Sequence, residues 1–316
     1  MQKGLHNAVL FLVTAAVGLL CTEALLRIKN LDQKNYQIEM WRYARLLKQK
    51  SDDPALGHVH VPGRSARLQG VQIRINSLGM RGAEPDLKDT GKKRILFLGS
   101  SNTFGWGVPE ENTMPALIQA KLQDRAVVLN GGIGNYNAAR YTALFEKKFL
   151  GLHPDMVVIN CFIRDAEPLE PGGGNFFLRH SELAVLLFHL AHQAAQPSGG
   201  IENLADHYRK IYQPDSPGFL EMQTAFARLE VLSRKHGFKV IFSVLPDVHQ
   251  MNPYPFGFAH AAMREIAERY GWAFVDFTPA LSQVPARELW AMPGDPHLNS
   301  KGHAIMAETL LPYLKV

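Results

Sequence analysis

Three residues of this chain, Ser101, Asp295 and His297, have types and surroundings that suit them to chemistry. Ser101 stands in Arg94-Ile-Leu-Phe-Leu-Gly-Ser-Ser-Asn-Thr-Phe-Gly-Trp-Gly-Val108, an apolar run that breaks into small residues. A buried strand ending this way presents a hydroxyl at the sheet edge. Asp295-Pro-His-Leu-Asn-Ser-Lys-Gly-His303 follows close to the C-terminus. An imidazole can take the serine proton, while a carboxylate sets the ring tautomer and stabilises the imidazolium. Together they make the parts of a serine nucleophile system. Pro296 restricts the backbone between acid and base, and both side chains are expected on one loop.

The glycines near Ser101 fit the same reading. Gly99, Gly105 and Gly107 permit positive φ and close backbone approach around a nucleophile turn. A phosphate-binding loop fails on detail, because the turn has neither a Gly-Lys-Ser/Thr ending nor Gly-x-Gly-x-x-Gly spacing.

These residues need a scaffold, and the hydrophobic pattern supplies one. Apolar strands are expected at Ile95–Leu98, Val127–Leu129, Met156–Asn160, Val240–Val244 and Phe274–Phe277. Amphipathic helices alternate with them at Thr113–Leu122, Ala138–Phe149, Leu220–His236, Ala259–Tyr270 and Lys301–Leu314. Such alternation implies a parallel sheet of about five strands with helices on both faces, a three-layer α/β/α fold. An insertion at about 169–217 holds Gly172-Gly-Gly174, an apolar helix Glu182–Ala195 and Pro197-Ser-Gly-Gly200. Its place after the third strand suits a lid or substrate wall, or a plain surface elaboration.

Ahead of the sheet, Ala8 to Leu26 is apolar apart from Thr14, Thr22 and Glu23. At about 1.5 Å per residue it is long enough for the ~30 Å hydrocarbon core of a bilayer. No clean small-x-small cleavage site follows, and Leu19-Leu20-Cys21 lacks a lipobox, so a single uncleaved anchor is favoured over a signal peptide or a core helix. Lys3 on one side and Arg27, Lys29 and Lys34 on the other give little charge asymmetry; we place the catalytic part in the periplasm or outside the cell. Tyr36 to Lys50 has helical periodicity, with Arg42, Arg45, Lys48 and Lys50 suited either to anionic lipid or to water. Residues 1–30 are thus expected to form the anchor, 31–70 a juxtamembrane helix and linker, and 71–316 the catalytic domain.

Composition narrows the class. The 316 residues carry a formal charge of +5 with no dense basic block, which does not suggest nucleic acid as a partner. Cys21 lies in the apolar N-terminus and Cys161 in an expected core strand, a poor pair for a disulfide. His58, His60, His180, His249 and His260 are too dispersed for a zinc site; His58-x-His60 could chelate a metal, but exposed loop histidines are expected. No cofactor or metal is expected. Trp106 and Tyr136 suit either a substrate pocket or the core.

The blocks in this order resemble the SGNH (GDSL-type) hydrolase family over roughly residues 74–314. Gly99-Ser-Ser-Asn-Thr-Phe-Gly105 is similar to its first block, with Ser101 on the nucleophile and Ser100 in place of the usual aspartate. Asn76-Ser-Leu-Gly-Met-Arg81 is a familiar lead-in. Asn130-Gly-Gly-Ile-Gly-Asn-Tyr136 resembles the second block, whose backbone N–H holds the oxyanion; in strict register this role falls on Asn135, with Gly134 just before it. In the third block Phe162 takes a glycine position and Arg164 that of the oxyanion asparagine. A guanidinium could donate there, or could pair with Asp165, Glu167 or Glu170. Asp295-Pro-His297 resembles the last block, with the one-residue spacing of a branch that contains bacterial polysaccharide O-acetyltransferases of the alginate type. The resemblance implies a serine esterase acting on a small-molecule or carbohydrate ester. The alternatives are an O-acetyltransferase for a cell-surface polysaccharide and a non-catalytic member of a polysaccharide assembly.

Overall fold

The computed structural model describes residues 2–30, 35–88, 91–169, 176–195, 201–292 and 295–315, without the side chains of 2, 193–195, 201–203, 295 and 296. Gly172–Gly174, Pro197–Gly200, Lys34 and Glu170 lie outside the described residues. The chain opens with helices α1 (Gln2–Lys29) and α2 (Tyr36–Leu46), then short strands β1 (Lys48–Lys50), β2 (His58–His60), β3 (Ser65–Leu68) and β4 (Val71–Arg74). The main body follows as β5 (Lys93–Gly99), α3 (Ser101–Phe104), α4 (Met114–Leu122), β6 (Ala126–Asn130), α5 (Ala138–Leu144) and β7 (Met156–Phe162). The insertion supplies α6 (Phe176–His180), α7 (Glu182–Ala195) and α8 (Ile201–Ile211). Then come α9 (Pro217–His236), β8 (Lys239–Leu245), α10 (Gly257–Tyr270), β9 (Ala273–Asp276), α11 (Thr278–Leu281), β10 (Trp290–Met292), β11 (Asp295–Leu298) and α12 (Ser300–Leu310).

Five parallel strands run in the order β6-β5-β7-β8-β9. Alternation along each strand divides the core in two. Leu96, Leu98, Val157, Ile159, Val240 and Phe242 pack beneath α5, α9 and α10. Ile95, Phe97, Val158, Ile241 and Val275 pack beneath α4 and α12. This is the three-layer α/β/α sandwich that the pattern implies. The strand order reverses at β5, so β6 and β7 flank it and open a crevice at their carboxyl ends.

Several element ends differ from the sequence reading, each for a local reason. The helix expected over 36–50 stops at Leu46, because Lys48–Lys50 pairs antiparallel with His58–His60. β9 ends at Asp276, whose carboxylate accepts the Thr278 N–H (2.8 Å) and starts α11. The helix from Ala138 widens at Phe145–Phe149 into a π turn. Residues 295–298 are the second strand of a hairpin with β10 rather than a loop.

The segment between α1 and β5 packs into the body. Ile38, Tyr43 and Leu47 of α2 are buried, and Glu39 accepts both the Gln69 N–H (2.6 Å) and Arg42 (2.5 Å). Gln69 and Gly70 both have positive φ, which matches the tight turn joining β3 to β4.

Burial also fixes the pH response of stability. His60 lies inside the protein, not on an exposed loop as expected: its Nδ1 meets Gly79 O (2.9 Å) and its Nε2 meets Tyr43 Oη (2.6 Å). His303 Nδ1 accepts the Met114 N–H (2.9 Å). Burial lowers both to about 3, and burial with the Lys48 charge lowers His58 to about 2. Each favours the neutral ring when folded, so its contribution is full above about 6.5 and fades as the pH falls toward the folded value. Asp165, raised to about 7 by burial, works the other way, since its contribution is lost as the pH rises toward 7. Three histidines outweigh one carboxyl, so stability should fall as the pH drops from 6.5 to 4.5. His303→Asn keeps an acceptor for Met114 and should flatten that slope by up to about 1.4 kcal/mol per pH unit. Urea unfolding across the range checks it; parallel slopes for the two proteins would refute the assignment.

Candidate active site

Gly99 closes β5 with φ 157°, and a side chain there would collide with Thr103 Oγ1 at 2.1 Å and Asn160 O at 2.7 Å. Only glycine lets the chain turn this sharply into α3. The turn rests on a buried network. Asn160 Nδ2 donates to Thr103 Oγ1 (3.0 Å), and Ser243 Oγ donates to Asn160 Oδ1 (3.1 Å) or Ile159 O (2.9 Å). The far end of the turn is held by Arg81. Its buried guanidinium donates to Phe104 O (2.7 Å), Gly105 O (2.5 Å) and Val108 O (2.5 Å). Burial lowers Arg81 only to about 10, so it stays cationic at neutral pH against the carbonyl end of α3.

Ser101 is thereby the first residue of α3, and its Oγ lies 2.8 Å from His297 Nε2. The two are 196 positions apart in the chain. The hairpin of β10 and β11 brings the histidine there, and Tyr36 of α2 lies against the ring with centroids 5.7 Å apart. The Asp295 backbone belongs to β11, two residues before His297, and its carboxylate is outside the described side chains.

The loop after β6 forms the next wall. Gly132 is needed for contact, since a Cβ there would stand 2.3 Å from Phe104 N. Asn135 adopts a left-handed conformation (φ 63°) and lines the cleft beside Ser101. The Gly134 N–H is instead donated to Tyr43 Oη (3.1 Å), which leaves Asn135 as the member of that pair on the cleft wall. Gly134 O accepts from Lys48 Nζ (3.3 Å) and meets His58 Nε2 (3.1 Å). Thus α2, β1 and β2 grip this loop through both backbone polar groups of Gly134.

Arg164 follows β7 and also lines the cleft, with its guanidinium 3.2 Å from Glu167 Oε2. Asn160 is buried beneath the turn that follows Gly99 and is not on the wall. Ser100 lines the cleft and makes no side-chain cap to α3. Tyr136 reaches the cleft too and donates its hydroxyl to His58 O, whereas Trp106 packs in the core against Tyr43. Glu110, at the start of a short turn before α4, pairs with Arg74 (2.7 Å).

Sequence reasoning missed one pair. Asp247 and His249 follow β8 and line the same cleft, with His249 Nδ1 2.6 Å from Asp247 Oδ1. The signal was present, because Asp247-Val-His249 repeats the Asp-x-His spacing of residues 295–297. Tyr254 holds this loop: its hydroxyl accepts the Asp247 N–H (3.2 Å) and meets His260 Nε2 (2.8 Å). The cleft encloses about 260 Å³. A larger hollow of about 900 Å³ lies at the opposite edge of the sheet, by the strand starts, and contains none of these residues.

A model of the GDSL-like lipase/acylhydrolase family matches residues 97–305, from the end of β5 into α12. Among solved structures, the chain is similar to the acetylxylan esterase Axe2 from Geobacillus stearothermophilus, at 17% identity and a TM-score of 0.47, over 72% of this chain and 96% of that one. The acetyl xylan esterase AlAXEase matches at 17% identity and a TM-score of 0.44, over 70% and 100%. The structure of TesA matches at 18% identity and a TM-score of 0.46, over 71% and 98%. A search of curated proteins finds no match.

The grip of α2 on the Gly134 peptide can be tested by removing one hydroxyl. Tyr43→Phe leaves the Gly134 N–H and His60 without their partner and should cost about 1–3 kcal/mol of stability. An unchanged urea midpoint would show that the contact carries no weight.

Proposed function

The chain belongs to the GDSL-like lipase/acylhydrolase family, and on that footing we propose that it is a serine esterase working through an acyl-serine. The observation that carries this reading is the 2.8 Å approach of Ser101 Oγ to His297 Nε2 at the mouth of the sheet. His297 takes the Ser101 proton, and Oγ attacks the ester carbonyl. Asp295 accepts from the other ring nitrogen and balances the imidazolium. The backbone N–H groups of Ser101 and Asn135 receive the oxyanion, with the Arg164 charge across the cleft. The alcohol leaves with the proton from His297. Water then gives a proton to His297 and its oxygen attacks the acyl-serine; the Oγ–acyl bond breaks, His297 returns the proton to Ser101 Oγ, and the acid is released.

The cleft volume of about 260 Å³ suits a short acyl group better than a long chain. The apolar helix α1 anchors the protein in a membrane, with residues 31–316 outside the cytoplasm and 71–316 carrying the chemistry. Transfer to a sugar hydroxyl in place of water is favoured by one observation, the second imidazole of His249 on the same wall. In that reading His249 orients the incoming hydroxyl.

Three substitutions test the core assignment with p-nitrophenyl acetate as substrate. Ser101→Ala and His297→Ala should each lower kcat by about 10³-fold or more, and the double variant should be little worse than either. Asp295→Asn should lower kcat and leave KM nearly unchanged. Full activity in Ser101→Ala would overturn the reading. Adding an acetylated or free xylo-oligosaccharide to the wild type separates the two acceptors: faster turnover with an acetylated product indicates transfer, and an unchanged rate indicates hydrolysis.

A further inference from the structure

The insertion ends one side of the molecule in an apolar surface. Phe176 and Phe177 of α6 and Leu187, Phe188 and Leu190 of α7 are 53–69% exposed. From Leu183 to Ala195 the sequence has no Asp, Glu, Lys or Arg. A soluble surface rarely gathers so many large apolar side chains in one place. The opposite side of these helices is packed: Leu178 and Val185 are buried against Ile38 of α2.

The end of α1 is bonded directly to this surface. Glu23 accepts from Ser181 Oγ (2.9 Å), Glu182 N (3.1 Å) and Leu183 N (3.0 Å), so it caps the start of α7. Asn30 Nδ2 donates to Glu182 Oε2 (2.7 Å), and Arg27 donates to His180 O (2.5 Å). From Glu23 back toward the N-terminus α1 is apolar and exposed. The beginning of α7 therefore lies level with the end of the candidate membrane span. Where α2 meets α6 and α7, Trp41, Arg42, Arg45 and Arg179 gather beside the apolar face. Tryptophan with cations is the side-chain set of a bilayer interface.

We propose that α6 and α7 form a second membrane-embedded element, inserted into the same leaflet that α1 enters. The inference rests on the reading of α1 as an anchor. Continuity of the apolar surface with α1 selects a bilayer as the occupant. At 14 residues α7 is about 21 Å long, too short to span and suited to partial insertion. The contact has a consequence for the active site. Ile38 and Trp41 of α2 face α6 and α7, while Tyr36 and Met40 line the Ser101 cleft. α2 therefore stands between the Ser101 cleft and the α6–α7 layer, and a two-point attachment would hold the cleft at a fixed height above the leaflet.

Environment-sensitive labels on the full-length protein in bilayer nanodiscs test this. In a Cys21→Ser background, where the remaining Cys161 is fully buried in the core, one exposed cysteine at a time is introduced as Phe177→Cys, Phe188→Cys, Leu12→Cys in α1, or Thr224→Cys on the exposed side of α9, and each is labelled with a nitrobenzoxadiazole dye, the Cys21→Ser parent serving as the unlabelled control. Spin-labelled phosphatidylcholine should quench positions 177, 188 and 12 at least about twofold more than 224, with blue-shifted emission at the first three. Quenching of 177 and 188 by aqueous iodide to the same extent as 224 would overturn the inference. So would a blue-shifted emission that spin-labelled lipid does not quench, which would assign the surface to a protein partner or a second copy. If position 12 also behaves like 224, the anchor reading itself has failed, and the inference with it.

Discussion

The bond between Ser101 and His297 depends on two distant chain segments reaching one rim of the sheet, and most of the surrounding structure serves that meeting. β5 can end beneath the hydroxyl because Gly99 lacks a side chain where Thr103 and Asn160 already stand. Arg81 then secures the exit from the turn through three carbonyl groups. On the other side the β10–β11 hairpin delivers the imidazole, and α12 follows at once, with Asn299 accepting from the N–H groups of Lys301 (3.0 Å) and Gly302 (3.1 Å). Neither segment has the geometry alone.

The N-terminal segment is part of the same construction. Tyr43, Lys48 and His58 hold the Gly134 peptide, and Tyr36 lies against His297. α2 thus touches both the His297 ring and the loop that holds Asn135. The apolar helix α1 is in turn bonded to α7, which packs on α2. This arrangement also gives physical sense to burying polar groups such as His60 and Glu39 in α2's neighbourhood: each is hydrogen-bonded, and each ties α2 to a different strand pair.

The sheet was legible in the sequence because its strands are continuous apolar runs and its helices have a wet face. Ser101 and His297 were legible because small residues at a strand end and an Asp-x-His near a terminal helix are uncommon together. The rest depended on contacts that no local pattern encodes. The approach of Gly134 to Tyr43 joins positions 91 apart, and so it could not be read from spacing. His60 looked like a loop histidine because its strand is three residues long, below the length at which alternation becomes visible. Asp247-Val-His249 was visible as a motif, yet only the return of β8 beside β7 brings it to the cleft. Arg164 lay at an expected position, and its pairing with Glu167 emerged from the turn after β7.

The most direct test of the central claim is active-site labelling. A fluorophosphonate should attach to one serine of the folded protein, and digestion with mass mapping should place it on the peptide that carries Ser101. Labelling should be lost on unfolding and strongly slowed when His297 is replaced. A modified peptide that lacks Ser101, or a folded protein that resists the reagent altogether, would contradict the account.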